Sequence, residues 1–183
     1  MAELTISKEA YQIEPDDKIT QVIAYTQFAL FWGELVTKEQ IRVNTWLKTV
    51  SAPDRVKLLN SRMIQIIPNG KIAPFHFPEI FIPTSDILLF HLVPPSSDPV
   101  DYDPTEPNRK MEPVVALVHS IRINASIRIA QISSLSKFLD VVREPFTSIY
   151  DAEITCPMMP ALGCMKVPQA IVRQKSAIFA SLN

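Results

Sequence analysis

Nucleophilic catalysis needs a base within hydrogen-bond reach of a serine, threonine or cysteine, and the histidines able to act as one are His76, His91 and His119. None stands in a glycine-rich or elbow-like context. His91 ends one apolar run, His119 lies in another, and His76 sits in the loop-like PFHFP; half-exposed strand positions account for the first two. A phosphate-cradling loop requires several closely approaching backbone amides, whereas the glycines are Gly33, Gly70 and Gly163, far apart. Nucleotide hydrolysis is therefore not expected. Cys156 and Cys164, with seven residues between them, do not have the number or spacing of a zinc knuckle and read as reduced, largely buried thiols. Carboxylates cluster at Asp16 with Asp17 and at Asp98, Asp101 and Asp103, without the ligand-and-glycine spacing of a calcium loop. The expectation is no catalytic residue, no metal site and no cofactor.

Two other groupings bear on binding. Arg122, Arg128, Arg173 and Lys175 form a candidate anion patch, with Arg122 and Arg128 on the face opposite the alternating Ile121, Ile123, Ile127 and Ile129. A solvated outer face is the plainer reading of these cations. Tyr25, Phe28, Phe31, Trp32 and Trp46 gather in the first half of the chain, and no basic residue interleaves with them before Arg42. They read as core or interface rather than as a base-stacking platform.

Such residues need a frame, and composition bounds it. The chain has 183 residues, 47% apolar and 20% charged, with a net charge of -1 and a mean hydropathy of +0.12. That balance gives no field to draw the chain onto phosphate or an anionic surface, so nucleic-acid binding is not expected. The apolar excess points to surface covered by a partner. No basic n-region opens the chain and no run of about 18 uncharged apolar residues occurs, so a soluble, cytoplasmic protein away from membranes is expected.

Residues 93–111 hold Pro94, Pro95, Pro99, Pro104 and Pro107 among aspartates and serines, a linker composition with nothing to pack. On either side one pattern recurs. Residues 22–50 lie over 114–142 at an offset of 92, matching Val22 with Val114, Ala24 with Ala116, Leu47 with Leu139 and Trp46 with Phe138. Residues 78–92 lie over 168–182 at an offset of 90. This predicts an N-terminal arm (1–19), a β-rich repeat (20–92), the linker (93–111) and a second repeat (112–183).

Each repeat reads as β-β-α-β-β-β. A hairpin comes first (20–31 with 33–38; 113–123 with 125–132), then a short helix in KEQIRVNTWLKT or SSLSKFLDVV, the latter capped by Ser133 or Ser134. Three strands follow near 62–67, 78–83 and 86–92, and near 151–156, 167–173 and 176–181. The fold class expected is mainly β, as two tandem barrel-like domains packed through strand edges or apolar faces.

The segments LSKFLDV (135–141), AEI (152–154) and PQAIVRQKSAI (168–178), matched in the first half by TWLKTV (45–50) and PEIFIPTSDI (78–87), resemble a family of small uncharacterised bacterial domains. That resemblance implies no activity. IFIPTSDILLF (80–90) is more distantly similar to the closing strands of Sm-like and SH3-like barrels. Sm-like proteins form RNA-binding rings, but the Arg-Gly step of their last turn is replaced here by PTSD and RQKS.

The function expected is structural: a non-enzymatic protein that self-associates or takes a protein partner through its closing strands, with Ile87, Leu89, Ile178 and Phe179 as candidate interface residues. Repetition of such a contact would give a closed oligomer. The alternative is a regulatory module holding a small ligand or a short nucleic acid between the repeats, in a pocket lined by aromatic residues of the first and basic residues of the second.

Overall fold

A computed structural model describes residues 13–68, 73–96 and 98–182. Gly70 and the arm up to residue 12 lie outside the described residues. Ten antiparallel strands carry the chain: β1 (Asp17–Tyr25), β2 (Ala29–Lys38), β3 (Arg55–Gln65), β4 (Phe75–Pro83), β5 (Leu89–Leu92), β6 (Arg109–Val118), β7 (Ile121–Ala130), β8 (Phe146–Thr155), β9 (Cys164–Arg173) and β10 (Ala177–Ser181). Helix α1 (Val43–Trp46) follows β2, and α2 (Leu135–Val141) follows β7.

The strands form one continuous sheet in the order β10-β6-β7-β8-β9-β5-β1-β2-β3-β4. The mainly β class holds, but the expected pair of separate barrels is replaced by a single sheet, because β5 hydrogen-bonds to β1 on one side and to β9 on the other. The first five strands run β5-β1-β2-β3-β4 and the second five run β10-β6-β7-β8-β9, the same internal order.

Local features coincide as well. The register shifts between Trp32 and Glu34 in β2 and between Asn124 and Ser126 in β7. Opposite these shifts, Asn60 and Asp151 take positive φ of 46° and 49°, the geometry of a bulge. Gly33 lies at the first shift, where an added Cβ would come 2.9 Å from the Leu59 carbonyl oxygen. The breaks at Trp32 and Asn124, read from sequence as hairpin turns, are these bulges. The turns themselves lie earlier, between Tyr25 and Ala29 and at His119 and Ser120.

Other boundaries move for physical reasons. α1 keeps only four residues and has no side-chain cap, since Val43 and Thr45 are β-branched and hold helix poorly. α2 is longer and is capped by Ser134, whose Oγ accepts from the Lys137 amide at 3.4 Å. β3 and β8 begin several residues before the expected 62 and 151.

Alternation places Ile121, Ile123, Ile127 and Ile129 inside, as read from sequence. In the middle of the sheet alternation stops: Val22–Tyr25, Leu89–Leu92, Phe146–Tyr150 and Gln169–Val172 are buried on both faces. One face carries a cluster with Ile23, Tyr25, Leu89, Ile123 and Val172. A second cluster holds Val22, Leu58, Ile87, Phe90 and Ile171. No helix among the described residues is long and apolar enough to cross a membrane.

Candidate functional site

The centre of the sheet is a junction between its two halves. Leu89 pairs with Val172 and Phe90 with Ile171, and all four side chains are fully buried. The Arg173 amide donates to the Leu88 carbonyl at 2.8 Å. Its guanidinium donates to the Ile87 carbonyl at 2.7 Å and to the Thr84 carbonyl, and stacks over the Phe146 ring at 4.5 Å from its centroid. Desolvation lowers the pKa of this group, and the carbonyl contacts are of the charge-assisted kind.

Behind the junction lies a buried polar pair. His91 Nδ1 is 2.7 Å from the Leu92 carbonyl, which fixes it as the protonated nitrogen and leaves Nε2 to accept from the Tyr25 hydroxyl at 3.1 Å. Burial pushes the His91 pKa down to about 4 and the Tyr25 pKa up. A histidine neutral in this way, with both nitrogens engaged, serves structure.

The linker closes over the junction instead of running free. Asp101 accepts from Tyr150 at 2.6 Å and from Ser148 at 2.8 Å, and Lys48 of the first half reaches Ser148 at 3.1 Å and Glu144 at 3.2 Å. Asp98 accepts from the Asn44 amide at 3.1 Å. Burial and the neighbouring Asp101 carboxylate raise the Tyr150 pKa. Linker composition predicts nothing to pack here, and spacing alone does not show that the buried Ser148 and Tyr150 hydroxyls face Asp101.

The two ends of the sheet are different. Among the described residues β10 pairs only with β6, and β4 only with β3. Phe75, Phe77 and Phe81 stand exposed on one face of β4, and Ile178 and Leu182 are exposed at the β10 end.

The candidate interface residues therefore divide. Ile87 and Leu89 are fully buried within the chain and are not offered to a neighbour, because β9 already occupies that edge. Ile178 is exposed and Phe179 half-buried on the open edge. Sequence reasoning missed Phe81 on the opposite edge, although the even spacing of Phe75, Phe77 and Phe81, two and then four residues apart, is a visible signal.

The candidate anion patch is dispersed. Arg122 is exposed and Arg128 lies on the same outer face, but Arg128 donates to the Asp103 carbonyl at 2.7 Å, pairs with Glu106 at 2.9 Å and stacks on Tyr102. Arg173 is engaged in the junction, and Lys175 is exposed in the turn before β10.

An acidic trio, Glu14, Asp16 and Asp17, has the proximity of a metal site. Lys38 fills it: its ammonium pairs with Glu14, with Asp16 at 2.9 Å and with Asp17 at 3.0 Å, which raises the Lys38 pKa, while the hydrogen bond from the Glu14 amide and then Lys38 lower that of Asp17. The apolar cleft between Tyr25, Leu30, Ile121, Ile154 and Met165 holds about 50 Å³, well below the roughly 300–1,000 Å³ of small-molecule sites. A more open groove of about 590 Å³ runs past Arg55, Pro83, Thr84 and Phe146.

Compared with protein-family models, with curated proteins and with solved structures, the chain gives no match.

Proposed function

We propose that this is a non-enzymatic structural protein, two tandem copies of one β-rich domain, that builds assemblies through strand edges and apolar faces. One observation carries the reading: among the described residues the sheet ends in two edges that no further strand pairs, and each bears exposed large apolar side chains, Phe81 on β4 and Ile178 on β10. Such edges invite strand addition unless they are blunted by charge, covered or twisted away. Within the chain, the same type of edge-to-edge contact already joins β5 to β9. The free thiols, Cys156 buried and Cys164 exposed at the start of β9 rather than buried as expected, are in keeping with a reducing, cytoplasmic setting.

Light scattering on a sizing column tests the proposal. The expected species has a mass that is a multiple of 20.6 kDa and persists at high salt, since apolar and backbone contacts are not screened as surface ion pairs are. A 20.6 kDa species at every concentration would overturn the reading.

A further inference from the structure

The internal junction supplies a template for the open edges. β10 stands on β6 as β5 stands on β1: Phe90 and Leu89 lie opposite Ala24 and Tyr25, and Phe179 and Ile178 lie opposite Ala116 and Leu117. Ile178 is therefore the counterpart of Leu89, and Phe179 that of Phe90. This register sets the last strands 89 residues apart and corrects the offset of 90 that sequence pattern suggested.

β4 stands on β3 as β9 stands on β8. Ile82 and Phe81 lie opposite Val56 and Lys57, where Val172 and Ile171 lie opposite Thr147 and Ser148. The following turns are tied alike, with the Thr84 amide donating to the Asp54 carbonyl at 2.9 Å and the Gln174 amide to the Pro145 carbonyl at 3.1 Å.

Burial separates the counterparts. Leu89 and Ile171 are 0% exposed, whereas Ile178 is 67% and Phe81 49% exposed. Tyr25 is 5% exposed and its counterpart Leu117 is 41% exposed. Of the four counterparts, Ile178 and Phe81 stay exposed at the two ends of the sheet, Phe81 with the Lys57 ammonium 5.4 Å over its ring, while Phe179 is half-buried and Ile82 is already buried against its own half.

The relation between the halves also excludes self-closure. A two-fold junction would pair β10 with β4 of the same chain, yet these strands are the opposite ends of the sheet. The junction is a head-to-tail step, and such a step leaves one donor edge and one complementary acceptor edge for the next molecule.

Resting on the assembly reading above, we infer that β10 of one molecule pairs antiparallel with β4 of a second copy of this chain, in the register of the internal junction: Ile178 opposite Ile82 and Phe179 opposite Phe81. Ile178 then enters the apolar cluster of the receiving molecule, and the receiver's Phe81 enters that of the donor, as Leu89 and Ile171 do within the chain. Prolines do not block the contact. Pro168 precedes the paired stretch of β9, and Pro78 stands four residues before Ile82 as Pro168 stands four before Val172. One difference sets its strength: Pro83 occupies the place of Arg173 and brings neither an amide donor nor a guanidinium, so the contact between molecules is weaker than the one inside.

The test uses two full-length variants, each blocking one edge. Ile178→Asp keeps β4 free and Phe81→Asp keeps β10 free; both positions are exposed, and circular dichroism and thermal melting check that each variant folds. Each alone is expected at 20.6 kDa, and an equimolar mixture at twice that mass, with the Asp variants weakened at least about 100-fold in homotypic association. If Phe81→Asp alone still associates, β10 pairs with itself; if Ile178→Asp alone does, β4 pairs with itself. Either result, or a mixture that stays monomeric while the unaltered chain assembles, overturns the head-to-tail pairing and leaves the assembly reading standing. A monomeric unaltered chain removes both.

Discussion

The junction at the centre of the sheet and the two edges at its ends use the same strand positions with opposite outcomes. At the centre, β5 and β9 exchange backbone bonds, bury Leu89 and Ile171, and gain the Arg173 guanidinium, the Tyr25–His91 pair and the Asp101 contacts of the linker. At the ends, β10 and β4 offer Ile178 and Phe81 to solvent, with Pro83, Leu117 and Ala180 at the places of Arg173, Tyr25 and His91. The difference teaches that an edge pairing is made permanent by its surroundings. Covalent linkage removes the entropy of association, and one arginine plus one histidine pair then lock the contact.

The sharpest way to break this comparison is to truncate counterpart side chains. Leu89→Ala is expected to destabilise the fold by about 2–5 kcal/mol, as for fully buried leucines, and Ile178→Ala to change the stability of the monomer by less than about 0.5 kcal/mol. Urea unfolding of the two variants measures both, and equal losses would erase the distinction between centre and edge.

The next effect is pH. Because burial holds His91 near 4 against an ordinary 6.5, the unfolded chain binds a proton between those values and the native chain does not. Stability then falls as pH drops from about 6.5 and levels off near 4, by up to about 3 kcal/mol. The dependence should vanish in a His91→Gln variant, followed by denaturant midpoints at several pH values; an unchanged profile would show that other groups carry it.

Arg173→Ala removes the charged donor of the Ile87 and Thr84 carbonyls, and a loss of about 2–3 kcal/mol is expected. Hydrogen exchange at the β5 and β9 amides should rise in that variant before exchange at β2 or β7 does. The reciprocal change, Pro83→Arg, places the missing donor at the open edge. It should tighten self-association about tenfold, or about 1.4 kcal/mol, as read from the concentration dependence of the solution mass.

Much of this was legible from residue types. Alternating isoleucines marked the inner face of β7, an apolar pattern after two candidate caps, Ser133 and Ser134, marked α2, and the mainly β class followed from β-branched and aromatic runs; the structure decides for Ser134. The candidate site was half legible: of the candidate interface residues, Ile178 and Phe179 lie on the edge strand β10, whereas Leu89, read by the same pattern, lies inside the sheet. The apolar pattern of β5 and β10 is shared, and their differences, His91 against Ala180 and Leu92 against Ser181, mark a paired edge only once the partner strand is known.

What the sequence by itself determined is therefore the set of elements and, for β7, the face it buries, because period and propensity act within a few residues. The tertiary structure decided which edge meets which. Strand addition is made by backbone amides and carbonyls that nearly every residue carries alike, so the choice of β9 as the neighbour of β5, and the exposure left at β4 and β10, follow from the path of the whole chain.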